Sequence, residues 1–440
     1  MTRINRWLFA GSLALVVGLF AISAPALAQG EAPALSAGDT AWVLGSASLV
    51  LMMTPALAFF YGGMVHRRHV LGTLMQSFIV VALIGAQWVL WGYSLAFGPD
   101  KGGIIGGLEW VGLRSVGLEP NPDYAATVPH QAFMIFQGMF AVITPALITG
   151  AFAGRMKFKA FLIFVVLWAT LVYDPVAHWV WGTGGWLRDM GGMDFAGGAV
   201  VHITSGVGAL AAALALRKRL HFGVTADEPH NVPFIVLGAG LLWFGWFGFN
   251  AGSALTSGTV ATSAFVVTNT AAAMGGLTWM TLSWWLGGKP SVIGAASGAI
   301  AGLATVTPAS GFVTPMAGAI IGVVAGVACF FACRLRTRLK MDDSLDVWGV
   351  HGVGGTLGVL AVGLFATVAV NAAGKNGLLY GNPGQLWTQF VMVAVLWAYS
   401  FGMTYVILKV LDRLMGVCLE GSEEEVGLDV SQHGEQAYQL

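Results

Sequence analysis

Charge is scarce in this chain. Asp, Glu, Lys and Arg make up 10% of 440 residues against 56% hydrophobic residues, and the formal net charge is +0. So little polar surface cannot cover a soluble globule of this length, and balanced charge offers no basic face to a nucleic acid. Cysteine is nearly absent as well. Cys329, Cys333 and Cys418 build no disulfide framework, and the first two stand one helical turn apart with no His or further Cys beside them, which argues against a zinc site.

What the chain has instead is apolar length. Stretches of about 20 residues, enough for a helix to cross the hydrocarbon core, follow one another with short polar breaks. They predict an all-α polytopic membrane protein with spans near 41–64, 70–98, 128–154, 158–181, 195–216, 232–251, 260–286, 291–308, 312–334, 348–370 and 386–411. Ahead of these eleven, Arg3 and Arg6 precede an apolar run and then SAPALA. That order reads as a secretory signal over 1–28, cleaved before Gln29, with an uncleaved first helix as the alternative. The membrane domain is then expected over 29–414 and a terminal tail over 415–440.

Positive charge orients the spans. Alternate connections hold Arg67 and Arg68; Arg155, Lys157 and Lys159; Arg217, Lys218 and Arg219; Lys289; Arg334, Arg336, Arg338 and Lys340; and then Lys409 and Arg413. The opposite side has only Lys101, Arg114, Arg188 and Lys375. Since cytoplasmic loops carry the Lys and Arg excess, the mature N-terminus is expected outside and the C-terminus in the cytoplasm.

Glycine is abundant, with 62 residues, and its one-turn spacing at Gly298/Gly302 and through Gly318, Gly322 and Gly326 reads as close helix packing. A weak internal echo also runs through the chain: Asp194 precedes VVHITSGVGAL and Asp346 precedes GVHGVGGTLGVL. Spans one to five and six to ten would then form two inverted five-helix repeats, followed by a final helix, with a substrate path at their interface.

Ionisable side chains are nearly missing inside the spans, yet His202 and His351 fall well within spans five and ten. Such residues usually face an interior path. Two separately satisfied core histidines, or paired ligands of a haem, are the other readings of the residues alone. Asp194 and Asp346 stand at helix starts, where a carboxylate accepts orphan N–H groups, and Asp194 could also place negative charge near an outer cation site. Asp174, in LVYDPVAHWVW, has no clear assignment.

Aromatic residues recur on single helix faces: Phe136 and Phe140 one turn apart, then Trp246, Phe249 and Ser253 at i, i+3 and i+7, while Trp181 closes span four. By position alone these are packing or interfacial anchors. Ring faces attract a desolvating cation, a hydroxyl accepts its hydrogen bond, and neutral imidazoles both accept and donate. Together they suit a small protonated amine better than a metal ion, which wants an oxygen-rich shell.

At this point the chain resembles the Amt branch of the Amt/Rh ammonium transporters. The similarity runs through DFAGGAVVHITSG, GWFGFNAGSA, KPSVIGAASGAIAGLATVTP, DVWGVHGVGG and GLDVSQHGEQAY, and so from the spans into the tail. The resemblance implies a transporter rather than an enzyme, in the plasma membrane and without cofactor or metal, assembled as a trimer of separate pores. It implies an outer ammonium site at Trp181, Phe140 and Ser253, a gate of Phe140 and Phe249, a pore past His202 and His351, and a structural aspartate at Asp194. The retained Phe249 favours Amt over Rh. NH4+ would lose its proton near the gate and cross as NH3, while the tail would help a PII-type regulatory protein act on the cytoplasmic face. An ammonium sensor on the same fold is the alternative; such sensors often append a cytoplasmic domain, for which the roughly 27 residues after the last span are expected to be too few.

Overall fold

The computed structural model describes residues 35–224 and 228–438. The expected signal segment lies outside them. Among the described residues ten helices are long and apolar enough to cross a membrane. They are α1 (Ala37–Met64), α2 (Arg67–Phe97), α3 (His130–Ala151), α4 (Phe158–Asp189, continuous to Trp181), α5 (Gly198–Ala215), α6 (Val232–Gly252) and α7 (Thr259–Gly287), then α9 (Pro315–Arg338), α10 (Trp348–Phe365) and α11 (Pro383–Met415). The expected eighth span forms the shorter helix α8 (Val292–Val306). At 1.5 Å per residue its 15 residues cover about 22 Å, less than the hydrocarbon core. Beyond it the chain turns at Pro308, whose carbonyl accepts the Phe195 N–H at 3.1 Å just ahead of α5.

Local chemistry moves some boundaries from their expected places. Helix α1 begins at Ala37 because the Ser36 hydroxyl accepts the Asp39 N–H at 3.2 Å, an N-cap bond. Helix α10 ends at Phe365, where the backbone turns extended and Ala366 accepts the Gly377 N–H at 2.7 Å. Between α2 and α3 two small antiparallel hairpins form the loop: β1 (Asp100–Lys101) with β2 (Ile105–Gly106), and β3 (Pro120–Asn121) with β4 (Ala125–Pro129).

The one-turn glycine spacing packs helices as expected. A side chain at Gly302 of α8 or at Gly322 of α9 would strike the Ala271 carbonyl of α7, at 2.3 and 2.4 Å, so α7 lies in close contact with both. At the centre, α5 and α10 cross. Gly206 lies against Gly352, whereas Gly355 lies against Gly198 and His202, so one helix runs back as the other advances. Opposite directions for these two helices agree with the inverted orientation expected of the two repeats; their direct contact is a finding of the structure. Each helix opens on a wide π-type turn, Gly198–Ile203 and Trp348–Gly352, and each turn carries one of the two histidines.

The tail does not behave as a solvated terminus. Asp429 is buried and accepts the Gly72 N–H at the start of α2 at 2.9 Å, and Gln432 accepts the Phe158 N–H at the start of α4 at 3.1 Å. Glu424 pairs with Arg217 at 2.6 Å in the connection after α5. Three connections of the basic end are thus tied to one short segment.

Candidate functional site

The site begins with Asp194. One oxygen of its carboxylate accepts the N–H groups of Gly197 and Gly198 at 2.9 and 2.7 Å, and the other those of Ala199 and Val200 at 2.8 and 3.0 Å. Four donors that a helix start leaves orphaned are satisfied by one side chain. The turn is possible because Gly197 adopts φ +116, which a residue with a Cβ rarely takes. From that fixed start, α5 carries His202 inward.

His202 and His351 face each other with Nδ1 atoms 3.2 Å apart and ring centroids 5.2 Å apart. Both are buried, and His202 Nε2 has no hydrogen-bond partner among the described residues. The His202 ring stacks on Trp246 at 5.5 Å and on Phe249 at 5.9 Å. Trp246 is itself fixed by its indole N–H, which donates to the Thr307 hydroxyl at 2.9 Å. The histidines are therefore partners in one cluster, not two separately satisfied core residues.

Phe140 and Phe249 meet above this pair with centroids 4.3 Å apart and planes tilted by 42°. Trp181 stands edge-to-face against Phe140 at 5.9 Å, and its indole N–H donates to the Asp194 carbonyl at 2.9 Å. Helix α6 thus presents Trp246 beside His202, Phe249 at the ring pair and, one turn further out, Ser253. The Ser253 hydroxyl turns back to donate to the Phe249 carbonyl at 2.8 Å. The structure brings Trp181, Phe140, Phe249, His202 and His351 into one sequence of contacts; Ser253 joins it through Phe249 alone.

Three spaces follow one another from the ring pair toward the basic end. The first, bounded by Phe249, Val201, His202 and His351, holds only about 10 Å³, at or below the room one water needs. The second, about 80 Å³, runs from His351 past Ser297 to Asp346. The third is a vestibule of about 1050 Å³ that shares Asp346 and Leu345 with the second.

Asp346 does not have the capping role that the sequence assigns to it. Its carboxylate lies 2.7 Å from the Arg336 Nε, and burial pushes its carboxyl up to about 6 against the pull of that arginine. Asp343 accepts the Trp348 N–H at 2.8 Å and so caps α10; burial raises its carboxyl. Beside it, wholly buried Arg155 reaches Asp342 at 2.9 Å, and Arg219 reaches the same carboxylate at 2.7 Å. Burial opposes ionisation of Asp342, yet the two guanidinium groups hold it below the usual carboxylate range. The adjacent Asp342 and Asp343 before α10 are the only signal the sequence offers for this cap, and spacing does not choose between them and Asp346.

Residues 41–438 match the family model described as Ammonium Transporter Family. An ammonium transporter of Bacillus subtilis is 53% identical over 91% of this chain and 98% of its own length. Among solved structures, Mep2 of Candida albicans superimposes with a TM-score of 0.84 at 38% identity, covering 88% of each chain. A protein described as a sensor Amt protein superimposes with a TM-score of 0.84 at 28% identity, covering 90% of this chain and 98% of its own.

Proposed function

Because this chain belongs to the ammonium transporter family, we propose that it takes up NH4+ at the Trp181 end, where the ion gives its proton to water on that side near Phe140 and Phe249, and passes NH3 along His202 and His351. Family membership sets the class of function as transport across a membrane rather than enzymic catalysis. The observation that carries the finer reading is the space of about 10 Å³ that Phe249 and the two histidines line together with apolar side chains. A hydrated ion has no room there, and a bare ion would meet almost no oxygen ligands. Moving a charge into such surroundings costs several kcal/mol or more. Ammonium escapes that cost by leaving its proton behind, whereas K+ has no proton to leave.

Ahead of the gate, the faces of Trp181 and Phe140 attract the cation and the Ser253 hydroxyl accepts one of its N–H bonds. Asp194 contributes by fixing the start of α5 and the carbonyl that holds the Trp181 indole. The charge pattern of the connections supports a Trp181 end outside and a tail end in the cytoplasm of a plasma membrane. The reading also includes removal of residues 1–28 as a signal, and assembly as a homotrimer. The docked tail, beside a wide vestibule, supports binding of a PII-type regulatory protein on that face. Truncation after Cys418 is expected to weaken such binding; undiminished binding would remove the tail from that role.

The likeness to a sensor Amt protein supports a second reading, signalling on the same fold. Transport is preferred because the relative at 53% identity is an ammonium transporter. Current and flux measurements on proteoliposomes under NH4+ and K+ gradients separate the two. Ammonium-specific flux without K+ flux is expected, and no ammonium flux would favour the sensor.

A further inference from the structure

His178, one turn before Trp181, is buried and meets an acceptor at each ring nitrogen: the Ala96 carbonyl at 3.0 Å from Nδ1 and the Asp100 carboxylate at 2.9 Å from Nε2. Asp100 lies in β1 and also accepts the Gly103 N–H at 2.7 Å. Its carboxyl is held below the usual range, chiefly by the His178 contact. The fit around the pair is close, since a Cβ at Gly182 would approach His178 Nδ1 to 2.5 Å. One imidazole therefore joins the end of α2, the first hairpin and the last turn of α4.

That last turn carries Trp181. The Gly182 N–H closes it onto the His178 carbonyl at 2.9 Å, and Arg188 donates to the Trp181 carbonyl at 2.9 Å. We infer that the His178–Asp100 pair is a positioning device for Trp181, holding the indole where an arriving cation meets its face. This rests on Trp181 forming the outer ammonium site. The pair touches neither Phe140 nor the histidines, so it sets capture of the cation and leaves passage through the lumen alone.

The test is a double-mutant comparison on the full chain in proteoliposomes, with methylammonium uptake measured against concentration. Asp100→Ala is expected to raise KM by about fivefold with Vmax within about twofold, and to change KM by less than about 1.5-fold when Trp181 is already Phe. His178→Gln is carried through the same comparison and decides the matter if Asp100→Ala does not fold. Equal changes in both backgrounds, an unchanged KM, or a fall in Vmax at constant KM would overturn the inference, as would failure of both variants to fold. Trp181→Phe alone tests the reading beneath it. An unchanged KM there removes the outer site itself, whereas a raised KM without coupling removes only the positioning role.

Discussion

His202 and His351 are 149 positions apart in the chain and meet Nδ1 to Nδ1 at 3.2 Å. As neutral rings, one must donate from Nδ1 and the other accept, so their tautomers are tied. The donating ring keeps a lone pair on Nε2, while the accepting ring has its N–H there. The pair thus presents one acceptor and one donor, which in the proposed transport complements NH3, a molecule that does both, and not K+.

Replacing either histidine by alanine is expected to break that complementarity. In proteoliposomes, ammonium flux should fall by about tenfold, or K+ should begin to pass, once His202→Ala or His351→Ala opens the lumen. Wild-type flux together with wild-type exclusion of K+ in both variants would sink the role given to the pair.

The crossing of α5 and α10 sets the distance between the rings. A Cβ at Gly206 would lie 2.0 Å from the Gly352 nitrogen, one residue beyond His351. Backbone atoms cannot yield as a flexible side chain does, so Gly206→Ala must push the helices apart. We expect a loss of about 1–3 kcal/mol in stability, read by thermal unfolding, and flux impaired at least as much as by His202→Ala. Normal flux in a stably folded Gly206→Ala protein would show that the pair tolerates a wider spacing.

Much of this arrangement is legible before any coordinates. His202 and His351 are conspicuous because almost nothing else ionisable lies inside the spans, and the Asp-then-His echo suggests that they belong together. Asp194 is legible as a cap because a carboxylate before two glycines has a physical task at a helix start. The basic end of the bundle near Asp342 is harder. Asp342, Asp343 and Asp346 fall within five positions, and sequence spacing alone does not tell which one caps, which one pairs and which one lines the path. That division depends on Arg155 and Arg219, which arrive from two connections, and on Arg336 in the last turn of α9. Nor does hydropathy separate α8 from a full span, because its apolar character continues through the turn at Pro308.

The buried Arg155–Asp342–Arg219 cluster predicts unequal costs for its members. Arg155→Met leaves Asp342 with Arg219 as partner, whereas Asp342→Ala leaves the wholly buried Arg155 without its carboxylate. Stranding a buried charge costs about 3–5 kcal/mol. Asp342→Ala should therefore lower the unfolding temperature more than Arg155→Met, and the reverse order would show that Arg155 does not depend on this carboxylate.

Asp346 gives a dependence on pH whose sign follows from its position. Burial raises its carboxyl from the ordinary value of 3.8 to about 6, with Arg336 opposing the rise. The folded protein therefore holds this proton more tightly than the unfolded chain does. Between those two values the native state binds more protons, so stability must fall as pH rises. The contribution is fully present below about pH 4 and is lost as pH passes about 6. Asp346→Asn removes the titration while keeping a side chain of similar size. Thermal unfolding measured from pH 4 to pH 7 should show a decline in the wild type that is flatter in Asp346→Asn. The same step should reach transport, since Asp346 borders both the inner chamber and the vestibule. With pH varied only on the tail side, uptake of ammonium from that side should strengthen as the carboxylate ionises through about pH 6, and Asp346→Asn should abolish the step. Parallel profiles for the two proteins would place the titrating group elsewhere.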